Sequence, residues 1–216
     1  MLIEVSLIDK MGSDLSVVNA ARVSFANKHE EFNDEKDTKL IKFLAKHGHW
    51  SPFAHCSAQF HIRAPVFVAR QLVKHQVGLS WNEVSRRYVD SKVEIYEPKE
   101  WRAKADNVKQ GSAEDIVDIN ERGALVNHYK HAIQQAKWSY EQLLRQGVAP
   151  EMARMVLPQS MMTEWYWSGS VYAFARVCNL RLDKTAQKET QWVAEEISTQ
   201  IKPHFPTSWK HLTENN

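Results

Sequence analysis

Between Arg70 and Tyr88 the chain carries Arg70, Gln71, Lys74, His75, Gln76, Asn82, Glu83, Ser85, Arg86 and Arg87, a density of hydrogen-bonding side chains that few core segments tolerate. Residues three and four apart share a helix face. An amphipathic helix here would set Arg70, Gln71, Lys74 and His75 along one stripe and Val66, Ala69, Val73 and Val77 along the opposite one. The polar stripe needs an anion or water. Beyond it, Asn82 donates and accepts, Glu83 accepts, and Ser85 does both. The guanidinium forks of Arg86 and Arg87 match phosphate or carboxylate oxygens two at a time. Such parts suit a small polar molecule, and a nucleotide best of all. The plainer alternative is that Ser80-Trp81-Asn82-Glu83 forms a capping box opening a short helix, with Arg86 and Arg87 solvated.

Other groups invite chemistry with less support. His47, His49, His55 and Cys56 are all competent metal ligands, but their spacing fits no familiar zinc signature and no CxxC or HExxH accompanies them. No metal is expected. Ser85 as a nucleophile would need a general base and an orienting third group, which its sequence neighbours do not supply. Arg154 could simply pair with Glu151, three residues earlier on a short helix.

The elements that must position these residues read as a mixture of strands and helices. Met1 to Ile8 predicts a strand, and Ser13 or Asp14 caps a helix through Val17, Val18 and Ala21. His29 to Asp37 reads as loop and Thr38 to Lys46 as helix, stopped near Gly48. Ala58, Phe60 and Ile62 alternate with Gln59, His61 and Arg63, the two-residue period of a half-buried strand. Pro65 suits the first turn of the helix that follows. Val93 to Tyr96 reads as a strand, Glu97 to Ser112 as a mobile loop, and Ala113 to Arg145 as one long helix. Pro150 opens a short helix, Thr163 to Trp167 is extended, and Ser170 to Leu180 and Asp183 to Ile201 are helical. An α+β fold follows.

A chain of 216 residues is most naturally one domain, here residues 1–216, with room for a substantial core. The formal net charge of +2 carries no polyelectrolyte signature, so nucleic-acid binding is not implied. No apolar run approaches the roughly 20 residues that span a bilayer, and the N-terminus lacks the pattern of a signal peptide. A cytoplasmic protein without a membrane partner is expected. Two cysteines, Cys56 and Cys178, are too few for a disulfide framework and are expected to stay reduced.

The stretch from Lys74 to Tyr88 resembles the signature of the flavin-dependent thymidylate synthases: Arg-His-Arg, seven residues, Ser, then a residue, Arg and Tyr. Lys74 and Gln76 replace the arginines around His75, and eight residues, Val77 to Val84, precede Ser85. The similarity continues in order through Asp14-Leu15-Ser16, Ala20 to Phe25, Lys46 to His55, Ala64 to Gln71, Ala153 to Pro158 and Asn179-Leu180-Arg181.

The resemblance implies a central sheet flanked by helices. It also implies transfer of a methylene from 5,10-methylenetetrahydrofolate to C5 of dUMP, with hydride from FAD and NADPH as reductant. Gln71, Lys74, Glu83, Ser85, Arg86, Arg87, Arg154 and Arg181 would hold the nucleotide, with Arg87 and Arg154 on its phosphate. Arg181 would also act catalytically by stabilising charge on the pyrimidine, with His49 beside the flavin ring. Ser24, His49, Ser51, Lys74, His75, Gln76, Asn82, Glu83, Ser170 and Arg176 would form the flavin environment. Ala54, Ser170 and Tyr172 stand where the family often has an acidic residue, Asn and Arg, and Arg176 where it has a further Asn or similar residue. Family members are homotetramers with shared active sites, so that assembly is implied as well. Two alternatives are a hydroxymethylase, in which water intercepts the methylene adduct, and a single-stranded nucleic-acid surface on which Trp81 and Tyr88 stack bases.

Overall fold

The computed structural model describes residues 3–89, 92–106, 111–116 and 119–214. In chain order, β1 (Glu4–Met11), α1 (Asp14–Arg22), α2 (Asp34–Lys46), α3 (Ser51–Ala54), β2 (Ser57–Pro65), α4 (Val66–Leu72) and β3 (Leu79–Glu83) form the first half. There follow β4 (Arg102–Lys104), β5 (Ser112–Ile116), α5 (Ile119–Arg145), α6 (Pro150–Ala153), β6 (Met162–Ser170), α7 (Val171–Arg181), α8 (Lys188–Ile201) and α9 (Pro206–Thr213). The mixture of sheet and helices agrees with the α+β expectation.

Four antiparallel strands form the main sheet in the order β1-β2-β6-β3. The alternation in β2 buries Ala58, Phe60, Ile62 and Ala64, while Trp165 and Trp167 come up beside them from β6. Phe174 of α7 meets Phe60 and Trp167 edge-on, at centroid distances of 5.2 and 5.3 Å. Trp81 of β3 stacks on Trp165 at 4.4 Å. Each fully buried side chain of this kind contributes about 2–3 kcal/mol through burial alone. The opposite face is polar, with Gln59 donating to Ser168 at 2.9 Å and His61 packed on Tyr166. A sheet with one wet face is ordinary for antiparallel strands.

Two tethers hold helices to this sheet. Gln200 of α8 accepts from the Leu7 N–H and donates to the Val5 carbonyl, at 2.7 and 2.8 Å, so a side chain occupies the free edge of β1. Asp14, buried at the start of α1, accepts from the backbone N–H groups of Thr207 and Ser208 at 2.7 and 2.9 Å. Its carboxylate thereby satisfies otherwise orphaned donors at the first turn of α9. A third contact joins the β4–β5 hairpin to α8, where Arg102 makes two bonds of 2.8 and 2.9 Å to the buried Glu189. Tyr96 adds its hydroxyl to the same carboxylate at 3.3 Å.

Several sequence expectations are corrected. The helix expected to run to Val77 ends at Leu72, and Ser80 to Glu83 forms a strand instead of a capped helix. The strand wins because Trp81 reaches the Trp165 and Trp167 faces only from an extended backbone beside β6. Val93 to Tyr96 holds only one bridge, Ile95 with Met161. The Glu97 to Ser112 loop contains β4, paired with β5, while its residues 107–110 lie outside the described residues. The long helix begins at Ile119, since Ser112 to Ile116 is β5, and residues 117–118 are likewise outside the description. The helix of residues 34–46 starts four positions before Thr38, because Asn33 accepts from Lys36 N–H and caps it earlier. The last long helix starts at Lys188 and not at Asp183, because Asp183 accepts from the Thr185 N–H and forms a turn.

Candidate active site

Positioning begins where α4 stops. After Leu72 the His75 N–H donates to the Leu72 carbonyl and the Leu79 N–H to that of Gln76, two tight turns that feed β3 into the sheet. Gly78 has φ +79, and a Cβ there would lie 3.2 Å from that of Ala173 and 3.4 Å from the Ser170 hydroxyl. Only glycine combines that backbone angle with so close an approach to the start of α7.

The turn and α7 bound a cleft of about 680 Å³ whose walls include Trp50, Val77, Ser80, Ser168, Tyr172 and Arg176. Aromatic and aliphatic walls with a few hydroxyls and one guanidinium suit a planar ring that carries a phosphate. Of the residues expected around a flavin, Ser170 and Arg176 line it, and Ser51 and Gln76 are chain neighbours of its Trp50 and Val77. Ser170 is also the N-cap of α7, its hydroxyl accepting from the Ala173 N–H at 3.1 Å. This chain's residues therefore fit a flavin here, with Arg176 the cation on the wall.

At the far end of α7, Arg181 donates through Nε to His75 Nε2 at 3.0 Å and through a terminal nitrogen to the Gln71 carbonyl at 3.2 Å. Burial, then the positive charges of Arg181 and Arg176, holds the His75 imidazole down to a pKa of about 4. It is therefore neutral at ordinary pH and free to accept. Gln71 in turn donates its amide to Gln187, which precedes α8. Gln187 escaped sequence reasoning, since it meets Gln71 from far along the chain and has no local signature.

The depressed His75 value gives a pH prediction. Because the folded state binds a proton at His75 only near pH 4 whereas the unfolded chain binds it near 6.5, stability rises with pH across that window. His75→Gln keeps a polar side chain and removes the proton. Chemical denaturation at several pH values should show a shallower loss of stability between pH 6.5 and 4 in the variant. Parallel curves for the two proteins would contradict the assignment.

The remaining expected residues fall into separate places. Ser85 accepts from the Arg87 N–H and Nε, both at 3.3 Å, and the Arg87 guanidinium lies over the Tyr88 ring at 5.0 Å. Arg86 donates to the Lys92 carbonyl. Glu83 accepts from the Thr163 hydroxyl at 2.8 Å and the Trp81 indole at 3.2 Å, which fixes its carboxylate at the end of β3. Lys74, Gln76 and Asn82 are exposed. So are Ser24, His49 and Ser51, with His49 near the Phe43 ring at 5.8 Å. Arg154 sits on the turn after α6, donating to the Glu151 carbonyl at 3.3 Å. Trp50 and Ser57 line the cleft without having been singled out, because neither belongs to a chemically distinctive spacing.

The α+β fold thus carries an aromatic, hydroxyl-lined cleft walled by the first turns of α7, with a half-buried arginine at the other end of that helix. The family model described as thymidylate synthase complementing protein matches residues 6–207, and the chain belongs to that family. It is 40% identical over 207 residues to the flavin-dependent thymidylate synthase of Kosmotoga olearia, covering 95% of this chain and 88% of that one. Against the flavin-dependent thymidylate synthase of Thermus thermophilus it is 39% identical over 211 residues, covering 98% of this chain and 76% of that one. The crystal structure of the UMP/dUMP methylase PolB from Streptomyces cacaoi bound with 5-Br dUMP is similar with a TM-score of 0.88 at 31% identity, covering 98% of this chain and 95% of that chain.

Proposed function

We propose that this chain is a flavin-dependent thymidylate synthase, which methylates dUMP at C5 using 5,10-methylenetetrahydrofolate as carbon donor, FAD as hydride carrier and NADPH as reductant. The observation that carries the reading is the Arg181–His75–Gln71 arrangement at the end of α7, the helix whose first turns wall the cleft. Neutral His75 and the Gln71 carbonyl take two of the Arg181 N–H groups and fix the guanidinium plane, leaving others for a ligand. Negative charge that develops on the pyrimidine as C5 becomes nucleophilic is stabilised there. Ser85, Arg86, Arg87 and Arg154 hold the nucleotide with Gln71, Lys74 and Glu83. Bound flavin supplies the hydride that turns the transferred methylene into a methyl group. Trp50, Tyr172, Ser170 and Arg176 would hold it, with Ser24, His49, Ser51, Lys74, His75, Gln76, Asn82 and Glu83 completing its surroundings and His49 available to its redox ring.

Several of these groups stand apart in one protomer, and exposed apolar side chains flank them. Val23 and Phe25 bracket Ser24, Val77 follows Gln76, and Met155 follows Arg154, each at least 70% exposed. Apolar surface beside ligand residues supports sites completed by neighbouring copies in a homotetramer. Residues 1–216 act as one domain of that assembly, and the two buried free thiols suit the cytoplasm.

The reaction so drawn uses no cysteine. Burial pushes the Cys56 thiol up to about 11 and raises that of Cys178 further, so neither is a thiolate at neutral pH. A Cys56→Ala, Cys178→Ala double variant is expected to bind flavin and convert dUMP to thymidylate if it folds. A folded, yellow double variant that makes no thymidylate would show that a thiol is needed after all.

A further inference from the structure

A second cleft, of about 660 Å³, opens between α2, α7 and α9, on the other side of Tyr172 and Arg176 from the first. Lys42 and Lys46 reach it from successive turns of α2, Arg176 from α7 and His211 from α9. No Asp or Glu lines it, and among the described residues no carboxylate pairs with Lys42, Lys46 or Arg176. Ala45, Ala175 and Leu212 supply an apolar floor, and the Tyr172 ring forms part of one wall.

Uncompensated cations around an apolar floor make a receptor for an anion attached to a flat ring. Lysine ammonium groups act as point charges on phosphate, and a guanidinium adds a fork that matches two of its oxygens. The Asp14 tether seats α9 against α1, so the cleft is bounded by fixed helices. Burial, followed by the charges of Lys210 and Lys42, lowers the His211 pKa, whereas Glu214 and Asp14 act the other way. Lys42, Lys46 and Arg176 on its wall, with no lining carboxylate, put positive charge at this cleft.

We propose that this cleft binds a phosphomonoester attached to an aromatic base, and that its occupant during turnover is the phosphorylated adenosine end of the NADPH reductant. The identity of the occupant rests on the proposed thymidylate reaction; the anion site does not. Its position across Tyr172 and Arg176 puts the reductant's far end next to the cleft assigned to the flavin. The 2′-phosphomonoester of NADPH carries nearly two negative charges at neutral pH, where NADH has an uncharged hydroxyl.

Lys42→Ala with Lys46→Ala tests this, since both side chains are on the surface and outside the nucleotide and flavin contacts. Adenosine 2′,5′-bisphosphate should bind the flavin-loaded wild type in calorimetry and bind the double variant about tenfold or more weakly. In turnover the KM for NADPH should rise by about the same factor, with kcat, flavin absorbance, dUMP affinity and the KM for NADH unchanged. Equal bisphosphate binding by the two proteins, or none by wild type, would overturn the anion site. A raised KM for a polyglutamylated folate donor, with that for NADPH unmoved, would overturn the reductant as its occupant. If wild type makes no thymidylate, the reaction fails while the bisphosphate titration still decides the cleft.

Discussion

Arg181→Ala is expected to lower kcat for thymidylate formation by about 10²–10³, the loss that follows removal of a donor aimed at developing charge. The fold and the flavin should survive. Arg181 is held at the end of α7 by His75 and the Gln71 carbonyl, contacts that lie outside the main aromatic core. Burial lowers its pKa, yet a guanidinium stays charged in proteins, so the stabilising cation is present at every useful pH. Because the interaction grows in the transition state, the dUMP dissociation constant should change far less than kcat. Rapid-quench turnover beside calorimetric dUMP binding separates the two. A folded Arg181→Ala protein with near-normal turnover would remove the arginine from the chemistry.

Arg87→Ala and Arg154→Ala should each weaken dUMP binding by about 2 kcal/mol or more, because each would delete the charged contact to the phosphate proposed for it. Deoxyuridine, which lacks that phosphate, should bind both variants and the wild type alike. Within one protomer Arg87 is stacked over Tyr88 and bonded to Ser85, whereas Arg154 stands separately beyond α6. The two losses should therefore appear together only when the arginines meet on one nucleotide, which a shared site between copies provides. Mixing the two weakened variants offers a check. Exchange of subunits should restore some native sites if the arginines come from different chains. Normal dUMP binding by either variant would show that its arginine faces elsewhere.

Much of the architecture was legible because local pattern and tertiary demand agree. The alternation in β2 sends Phe60 and Ile62 into the core, Ser13 precedes α1, and Ser170 caps α7. Legibility failed where a distant partner decides the outcome. Ser80 to Glu83 has the composition of a capped helix start, but stacking of Trp81 on Trp165 and pairing with β6 make it a strand. The start of α5 was misplaced for the same reason, since β5 exists only by pairing with β4.

The site was legible as an inventory and not as an arrangement. Gln71, His75 and Arg181 were each singled out, but their mutual contact, and the role of Gln187 behind them, comes from bringing α4, α7 and the start of α8 together. Glu83 looked like a free acceptor, whereas Thr163 and Trp81 already donate to it. Trp50 gave no signal and Tyr172 stood out only as a departure from the family's Arg, because apolar rings are common and only their convergence makes a cleft.

The most direct test is the mass of the product. Purified protein loaded with FAD and supplied with dUMP, 5,10-methylenetetrahydrofolate and NADPH should be yellow before reductant is added and should lose that colour when it is reduced. The nucleotide recovered should be heavier than dUMP by one methylene unit, which is thymidylate. A nucleotide heavier by a hydroxymethylene unit, or dUMP recovered unchanged from a flavin-loaded protein, would contradict flavin-dependent methylation at this site.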